Sequence, residues 1–576
     1  MGTRSQWLID KSEAIGDGGM VTSMHPLAAE AGASILEKGG NAIDAAIATA
    51  FAVGVVEPHN SGVGGIAFLA YCPGDDPDTT YCLDGTSVLP ANIKADEFDV
   101  LPGDGVAGMY RWPATEDDAN NTGWRSPAVP GMPALMGDAH KRFGKLPWSD
   151  LLQPAIRLAR DGFEIDFIGS LAITMAHESL SRFPSSREIY LTKSGGPLLP
   201  AAMNPGDLVV QTELAWTLEQ LADQGPDALY RGEVGKRLVA QMEKHGGLIT
   251  EDDLVKHRTL EHAPTTISYG DFTVTAQIEN SGNATVLQAL KILEGLNLSD
   301  HGFQTPTATH LTVEAIRRAF RDRLRYLGDA EQMTVPYQGV ISADYAAARR
   351  ADIDPARATP NAGPGDPWPF DPQDRPNDEV RDSAAPGGRT THLNVVDGDG
   401  NMVSLTSTLG SGFGSCVVVP ETGILLNNAT TWFDPRPGAV TSVGPGKRIL
   451  SAASPMLIRR NGKPFAAIGA PGGRRIVSAM TQVALNLMEY GAGMQESISA
   501  PRLHAEGPTT EISERFGEDV LNHLESIGHN VARRAETVNS GFFARPSGIR
   551  IDPDTGKRHG GVFQYTAATA IAVDRK

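Results

Sequence analysis

Two strand-like runs joined by a tight turn, about two-thirds of the way along the chain, fix one point of the fold before anything else is known. Leu393-Asn394-Val395-Val396-Asp397 and Met402-Val403-Ser404-Leu405-Thr406-Ser407-Thr408 flank Gly398-Asp399-Gly400-Asn401, whose Asp and Gly residues suit a hairpin turn. Pairing the two runs carries Thr408 back toward Thr390-Thr391-His392, which opens the first strand. A threonine attacks an acyl carbon well only beside a base, and its own α-amine becomes that base once the chain is cut in front of it. The preceding residues, Ala384-Ala385-Pro386-Gly387-Gly388-Arg389, are small and turn-forming, a setting that a backbone cut requires. Thr390 therefore reads as a latent N-terminal nucleophile, and the Arg389–Thr390 bond as the cleavage site.

A second stretch has matching chemistry. Ala470-Pro471-Gly472-Gly473-Arg474-Arg475 follows an apolar run and precedes a helical one over 476–490, so two residues without side chains stand at a helix entrance. Backbone N–H groups there are free to face an anion. Elsewhere helices and strands alternate. Helical spacing over 25–38 stops at Gly39-Gly40, and Asn41 caps an Ala-rich helix to about Val56, whose small residues suit close packing on a sheet. Residues 64–71 and 79–83 read as the adjoining strands, and 135–326 as mostly helical. The basic amphipathic stretch 314–326 reads as a solvated face. The Pro/Gly/Asp-rich stretch 358–389 reads as a mobile linker.

Several function classes drop out. A net charge of −19 argues against nucleic-acid binding and against adhesion to anionic membranes. Cys72, Cys82 and Cys416 are too few for a disulfide framework and fit a reducing compartment, with Cys416 a small core residue. The first twenty residues lack an apolar leader core, and no apolar run is long enough to span a bilayer, which together predict a cytoplasmic protein. Asp397-Gly398-Asp399-Gly400-Asn401 starts like a calcium loop, but Met402 and Thr408 stand where that loop needs Gly and Glu. His257, Glu261 and His262 miss the zinc-protease spacing, so neither a metal nor another cofactor is expected.

Eight short stretches, in order, resemble the γ-glutamyltranspeptidase family of N-terminal-nucleophile hydrolases. They are Gly39-Gly40-Asn41-Ala42-Ile43-Asp44-Ala45-Ala46, Ala128-Val129-Pro130-Gly131, Leu146-Pro147-Trp148, Glu314-Ala315 with Tyr326-Leu327-Gly328-Asp329, Thr390-Thr391-His392, Gly423-Ile424-Leu425-Leu426-Asn427-Asn428, Leu450-Ser451 with Ser454-Pro455, and Pro471-Gly472-Gly473. The resemblance implies an α+β fold, a four-layer αββα sandwich cut into intertwined subunits of residues 1–389 and 390–576. It implies an α/β heterodimer after self-cleavage, with a dimer of heterodimers as a further arrangement. It also implies that Thr390 is the nucleophile, that Thr408 tunes it, and that Gly472 and Gly473 form the oxyanion hole. Such donors stabilise charge present only in the transition state, and losing one costs on the order of a hundredfold or more in rate.

The substrate-binding positions depart from the family. Thr86, in Asp84-Gly85-Thr86-Ser87, stands where the family has the arginine that grips the glutamyl α-carboxylate. Ala429 and Trp432 replace the glutamine and aspartate that hold the α-ammonium. Gly410 replaces an asparagine, and of two paired serines only Ser451 is kept, with Ala452 beside it. A zwitterionic head group would lose several charge-assisted hydrogen bonds at once. The expected activity is thus hydrolysis of a small-molecule amide through an acyl-threonine, with an acyl group other than γ-glutamyl: aliphatic, aryl or dicarboxylic. Arg474, next to the oxyanion glycines, is a candidate for binding a substrate carboxylate. The alternatives are an authentic γ-glutamyl hydrolase or transpeptidase, a cephalosporin-type acylase, and an uncleaved scaffold without activity.

Overall fold

The computed structural model describes residues 9–103, 105–107, 112–376, 389–439, 441–538 and 540–575. Its centre is two antiparallel sheets of seven strands each. The first runs, edge to edge, Thr569–Val573, Gly19–Ser23, Arg389–Val396, Met402–Gly410, Ile66–Cys72, Tyr81–Gly85 and Leu260–His262. The second runs Ala14–Gly16, Arg558–Val562, Ser547–Ile551, Lys463–Gly469, Met456–Arg460, Phe272–Ala276 and Thr265–Tyr269. Met20, Val396 and Met402 of the first sheet meet Leu457, Ala467 and Ile549 of the second in a shared apolar layer. Helices Pro26–Glu37 and Ala42–Val56 pack with Val395, Val403 and Leu405 on the outer face of the first sheet. Helices Asn283–Glu294, Pro306–Tyr326 and Arg475–Met488 cover Val274, Ile458 and Ile468 of the second. This is the four-layer αββα sandwich that the resemblance implied.

The local reasons lie in the residue types. Every residue of Ala42–Val56 is buried, and its alanines and Gly54 let the helix lie close to its neighbours. Asn41 caps it in a reciprocal capping box with Asp44. The hairpin pairs Leu393 with Leu405 and Val395 with Val403, as its alternation requires. Its turn is held by Asp397, which accepts the amides of Asp399, Asn401 and Ala42.

Two expectations are corrected. The helix Pro306–Tyr326 does not present its basic face to solvent: Arg317, Arg318 and Arg323 are buried. Glu314 takes Arg317 at 3.0 Å and pairs with Arg318 at 2.5 Å, while Arg323 donates to the carbonyls of Ser281 and Ser451. Buried charges are tolerated because each finds a partner, which helical periodicity cannot reveal. The first part of the stretch taken as a mobile linker is pinned down: Ala358 N–H donates to Ile527 O, Gly365 N–H to Asp322 Oδ1, and Gly339 N–H to Asp371 Oδ2. Residues 377–388 of that stretch lie outside the described residues.

Candidate active site

Thr390 sits at a break in the strand ladder. Arg389 pairs with Gly410 and Thr391 with Ser407, so Thr390 alone faces two residues, Thr408 and Leu409. This is a β-bulge, a device that bends a strand and re-aims its side chains. Gly410 closes it at φ +103°, a conformation L side chains rarely adopt, and donates its N–H to Thr408 Oγ1 at 2.8 Å. Thr390 and Thr408 are 5% and 2% exposed.

The glycine pair approaches from the second sheet. Strand Lys463–Gly469 crosses beneath the hairpin, where Ser404 Oγ donates to Ile468 O and Gly469 lies flush on the His392 ring. Pro471-Gly472-Gly473 follow directly, ahead of helix Arg475–Met488. Gly472, at φ +145°, is packed so tightly on Ala544 that a Cβ would stand 2.6 Å from the Ala544 Cα. Arg545 N–H donates to Pro471 O at 2.9 Å and ties the two segments together.

Beside the bulge, Ala429, Trp432, Phe433, Trp112, Phe98 and Ile66 belong to one apolar cluster. Trp112 Nε1 donates to Thr431 O at 3.0 Å and fixes one indole beside the turn that bears the other. Thr86 is fully buried, and its carbonyl and hydroxyl each accept from Arg448 at 3.3 Å. Arg448 is itself 3% exposed and pairs with Glu331 at 2.7 Å. A guanidinium thus lies against the position where the family's arginine is missing, supplied from another part of the chain. Asp84 accepts the Thr86 N–H through Oδ1, and Gln277, Asn280 and His262 converge on its Oδ2. Burial opposes ionisation of Asp84, but the bond and charge of His262 together with the bonds from Thr86 outweigh it and hold the carboxyl low.

The remaining predicted positions are also placed. Ser451 Oγ accepts the Ala453 N–H, and Ala452 packs against Gly282. Arg474 is buried and turned to Glu506 at 3.1 Å; burial works against the Glu506 charge, yet Arg474 and His504 hold its carboxyl down to about 2. Arg475 pairs with Glu511. Cys416 is buried.

Three participants were not found in the sequence. Arg448 and Arg545 look like ordinary surface charges there. Glu57 gives a faint signal, as an acid directly after a helix whose other acid, Asp44, is used in its cap. It is 4% exposed, and its Oε2 accepts the Thr391 hydroxyl at 3.1 Å. Burial pushes its carboxyl up to about 7, against the pull of Arg545 and the Thr391 hydroxyl.

Among the described residues, the grouping with metal-ligand geometry is His310, Glu314 and His529. Its two imidazoles are hydrogen-bonded at 2.7 Å and its carboxylate already holds two arginines. No helix among the described residues is long and apolar enough to cross a membrane.

The architecture and this site define an N-terminal-nucleophile amide hydrolase. The cephalosporin acylase of Bacillus halodurans superposes with a TM-score of 0.84 at 28% identity, covering 100% of this chain and 99% of that one. The Gamma-glutamyltranspeptidase family model matches residues 28–570. The Acylase ACY 1 proenzyme of Pseudomonas sp. (strain SE83) is 36% identical over 98% of this chain and 95% of its own length. The Glutathione hydrolase proenzyme of Bacillus subtilis (strain 168) is 33% identical over 98% and 93%. The chain belongs to the γ-glutamyltranspeptidase family.

Proposed function

We infer that this enzyme cuts itself between Arg389 and Thr390, giving subunits 1–389 and 390–576 that stay together as a heterodimer, and that Thr390 then hydrolyses an amide whose acyl group is not γ-glutamyl. In the reaction Thr390 Oγ attacks the amide carbonyl, its α-amine takes the proton, the N–H groups of Gly472 and Gly473 hold the oxyanion, and collapse breaks the C–N bond as the α-ammonium returns the proton to the departing amine. Water releases the acyl group from the ester. The bulge opposite Thr408 supports this assignment, because it sets Thr390 apart from the regular ladder. Similarity to two proteins named as proenzymes supports the self-cleavage.

The observation that carries the substrate reading is the indole of Trp432, which fills the space beside Gly410 and belongs to a wholly apolar cluster. An α-ammonium there would face aromatic surface instead of a carboxylate. Arg448 at Thr86 keeps one positive charge nearby. The combination fits the monoacyl group of a dicarboxylic acid, which has a distal carboxylate and no amine, and it accords with similarity to proteins named acylase. Intact mass under denaturing conditions tests the cut; two chains dividing before Thr390 are expected in the wild type, and one uncut chain in Thr390→Ala. Glutaryl-p-nitroanilide is expected to turn over faster than γ-glutamyl-p-nitroanilide. The reverse order would favour the glutathione hydrolase reading.

A further inference from the structure

The turn after helix Ala42–Val56 touches both strands of the nucleophile hairpin. Glu57 Oε2 accepts the hydroxyl of Thr391, the residue following Thr390. Three residues on, Asn60 O accepts the N–H of Leu409, one of the two residues bulged opposite Thr390, and His59 O accepts that of Phe413. The turn is closed on itself by the Asn60 N–H donating to Glu57 O at 2.9 Å. Past the Asp44 of the capping box the helix carries no other charge, and Glu57, which follows its last residue, is buried with its carboxyl turned to Thr391.

Building on the assignment of Thr390 as nucleophile, the geometry points to Glu57 as a positioning residue for it, holding the Thr391 side of the bulge while its own turn holds the Leu409 side. Glu57 does not touch the substrate. It acts through Thr391, and its charge decides how firmly. An ionised carboxylate accepts a hydroxyl more strongly than a neutral acid does. The charged or titratable groups facing it are Arg545, from the segment bonded to Pro471, Asp166, ahead of helix Phe167–Ser181, and His59, whose Nε2 lies 3.9 Å from Glu57 Oε1; Asn60 and Thr391 are the neutral ones. His25 stands 4.0 Å from Asp166. Arg545 favours the ionised form, Asp166 opposes it, and burial raises the carboxyl to about 7. The position of Thr390 is therefore set to tighten as pH rises through neutrality.

Self-cleavage isolates this effect, because before the cut Thr390 has no free amine to titrate. The full chain is synthesised as the uncut precursor, and cleavage is followed by intact mass from about pH 5 to about pH 9. Wild-type cleavage is expected to quicken across a limb near neutrality. Glu57→Gln is expected to lose that limb and to cleave about tenfold to a hundredfold more slowly at high pH, the scale of a misplaced reacting group. Thr391→Val removes the same bond from the other side, so it should give the same slowing, and the double variant should be no slower than either single one. Glu57→Gln cleaving at the wild-type rate with its limb intact, or additive effects in the double variant, overturns the role of Glu57. If Glu57→Gln does not fold, the rate and limb of Thr391→Val decide alone. Thr390→Ala separates the two readings: if it still divides at the same bond, the nucleophile assignment itself is wrong. A wild-type chain that stays whole overturns both.

Discussion

Gly410 and Trp432 occupy one another's space: a Cβ on Gly410 would stand 3.1 Å from the indole, and 2.2 Å from Asn428 Oδ1. A side chain at this position therefore cannot be added while Trp432 and Asn428 stay where they are. Gly410→Ala meets the same contacts and also the positive φ, for which strain of about 1–3 kcal/mol is typical. It is expected to lower the thermal midpoint by several degrees and to slow self-cleavage. Differential scanning calorimetry and intact mass on the same sample would check both.

Arg448 makes the next prediction, because it can be removed without touching the hairpin. If its guanidinium binds a distal carboxylate, Arg448→Gln should raise KM for glutaryl-p-nitroanilide by about tenfold to a hundredfold, the loss of a charge-assisted hydrogen bond. Turnover of phenylacetyl-p-nitroanilide should change little. Equal losses on both substrates would mean that Arg448 only supports Thr86.

His392 predicts a pH-dependent stability. It is fully buried between Thr406 and Asn394, and burial lowers its imidazole to about 4 despite the bond to Asn394. The unfolded chain takes up the proton from about pH 6.5 downward and the native chain does not, so this group makes stability fall as pH drops from about 6.5 to about 4. The full effect is about 3 kcal/mol. Glu57, whose native carboxyl is raised, works the other way: its contribution is present below the ordinary carboxylate range and is lost as pH rises through about 7. Urea midpoints of the uncut Thr390→Ala chain should therefore fall less on acidification once His392→Gln removes the imidazole.

Glu314 is expected to be the most costly single charge to remove from the helix layer. Glu314→Gln leaves Arg317 and Arg318 buried without their counter-ion, which typically costs about 3–5 kcal/mol. A thermal midpoint unchanged from wild type would show that the arginines find other acceptors. Glu314→Gln should act on folding and leave the specificity pattern alone.

What the sequence determined is local or repetitive. Hairpin alternation, the Asn41 capping box, the alanine spacing of the first helices and the glycine pair before Arg475 each follow from backbone preferences over a few residues. The motif order then pointed to the family and to the stacked sheets. The bulge at Thr390 was not legible, because a ladder slip depends on what the two strands pack against, such as Trp432 and Asn428 beside Gly410, as well as on their own residues. Nor could the arginines of Pro306–Tyr326 be recognised as buried, since their periodicity and the spacing of Arg317 and Arg318 from Glu314 are those of any amphipathic helix, and the segments that cover them come from elsewhere in the chain. The same holds for the site. Thr86 by itself reads as a lost charge, and only the tertiary structure, by bringing Arg448 across 362 residues of chain, returns a guanidinium to that place. Glu57 meets Thr391 across 334 residues for the same reason. Short-range preferences write themselves into sequence, whereas partnerships such as these two form between groups that become neighbours only in the folded chain.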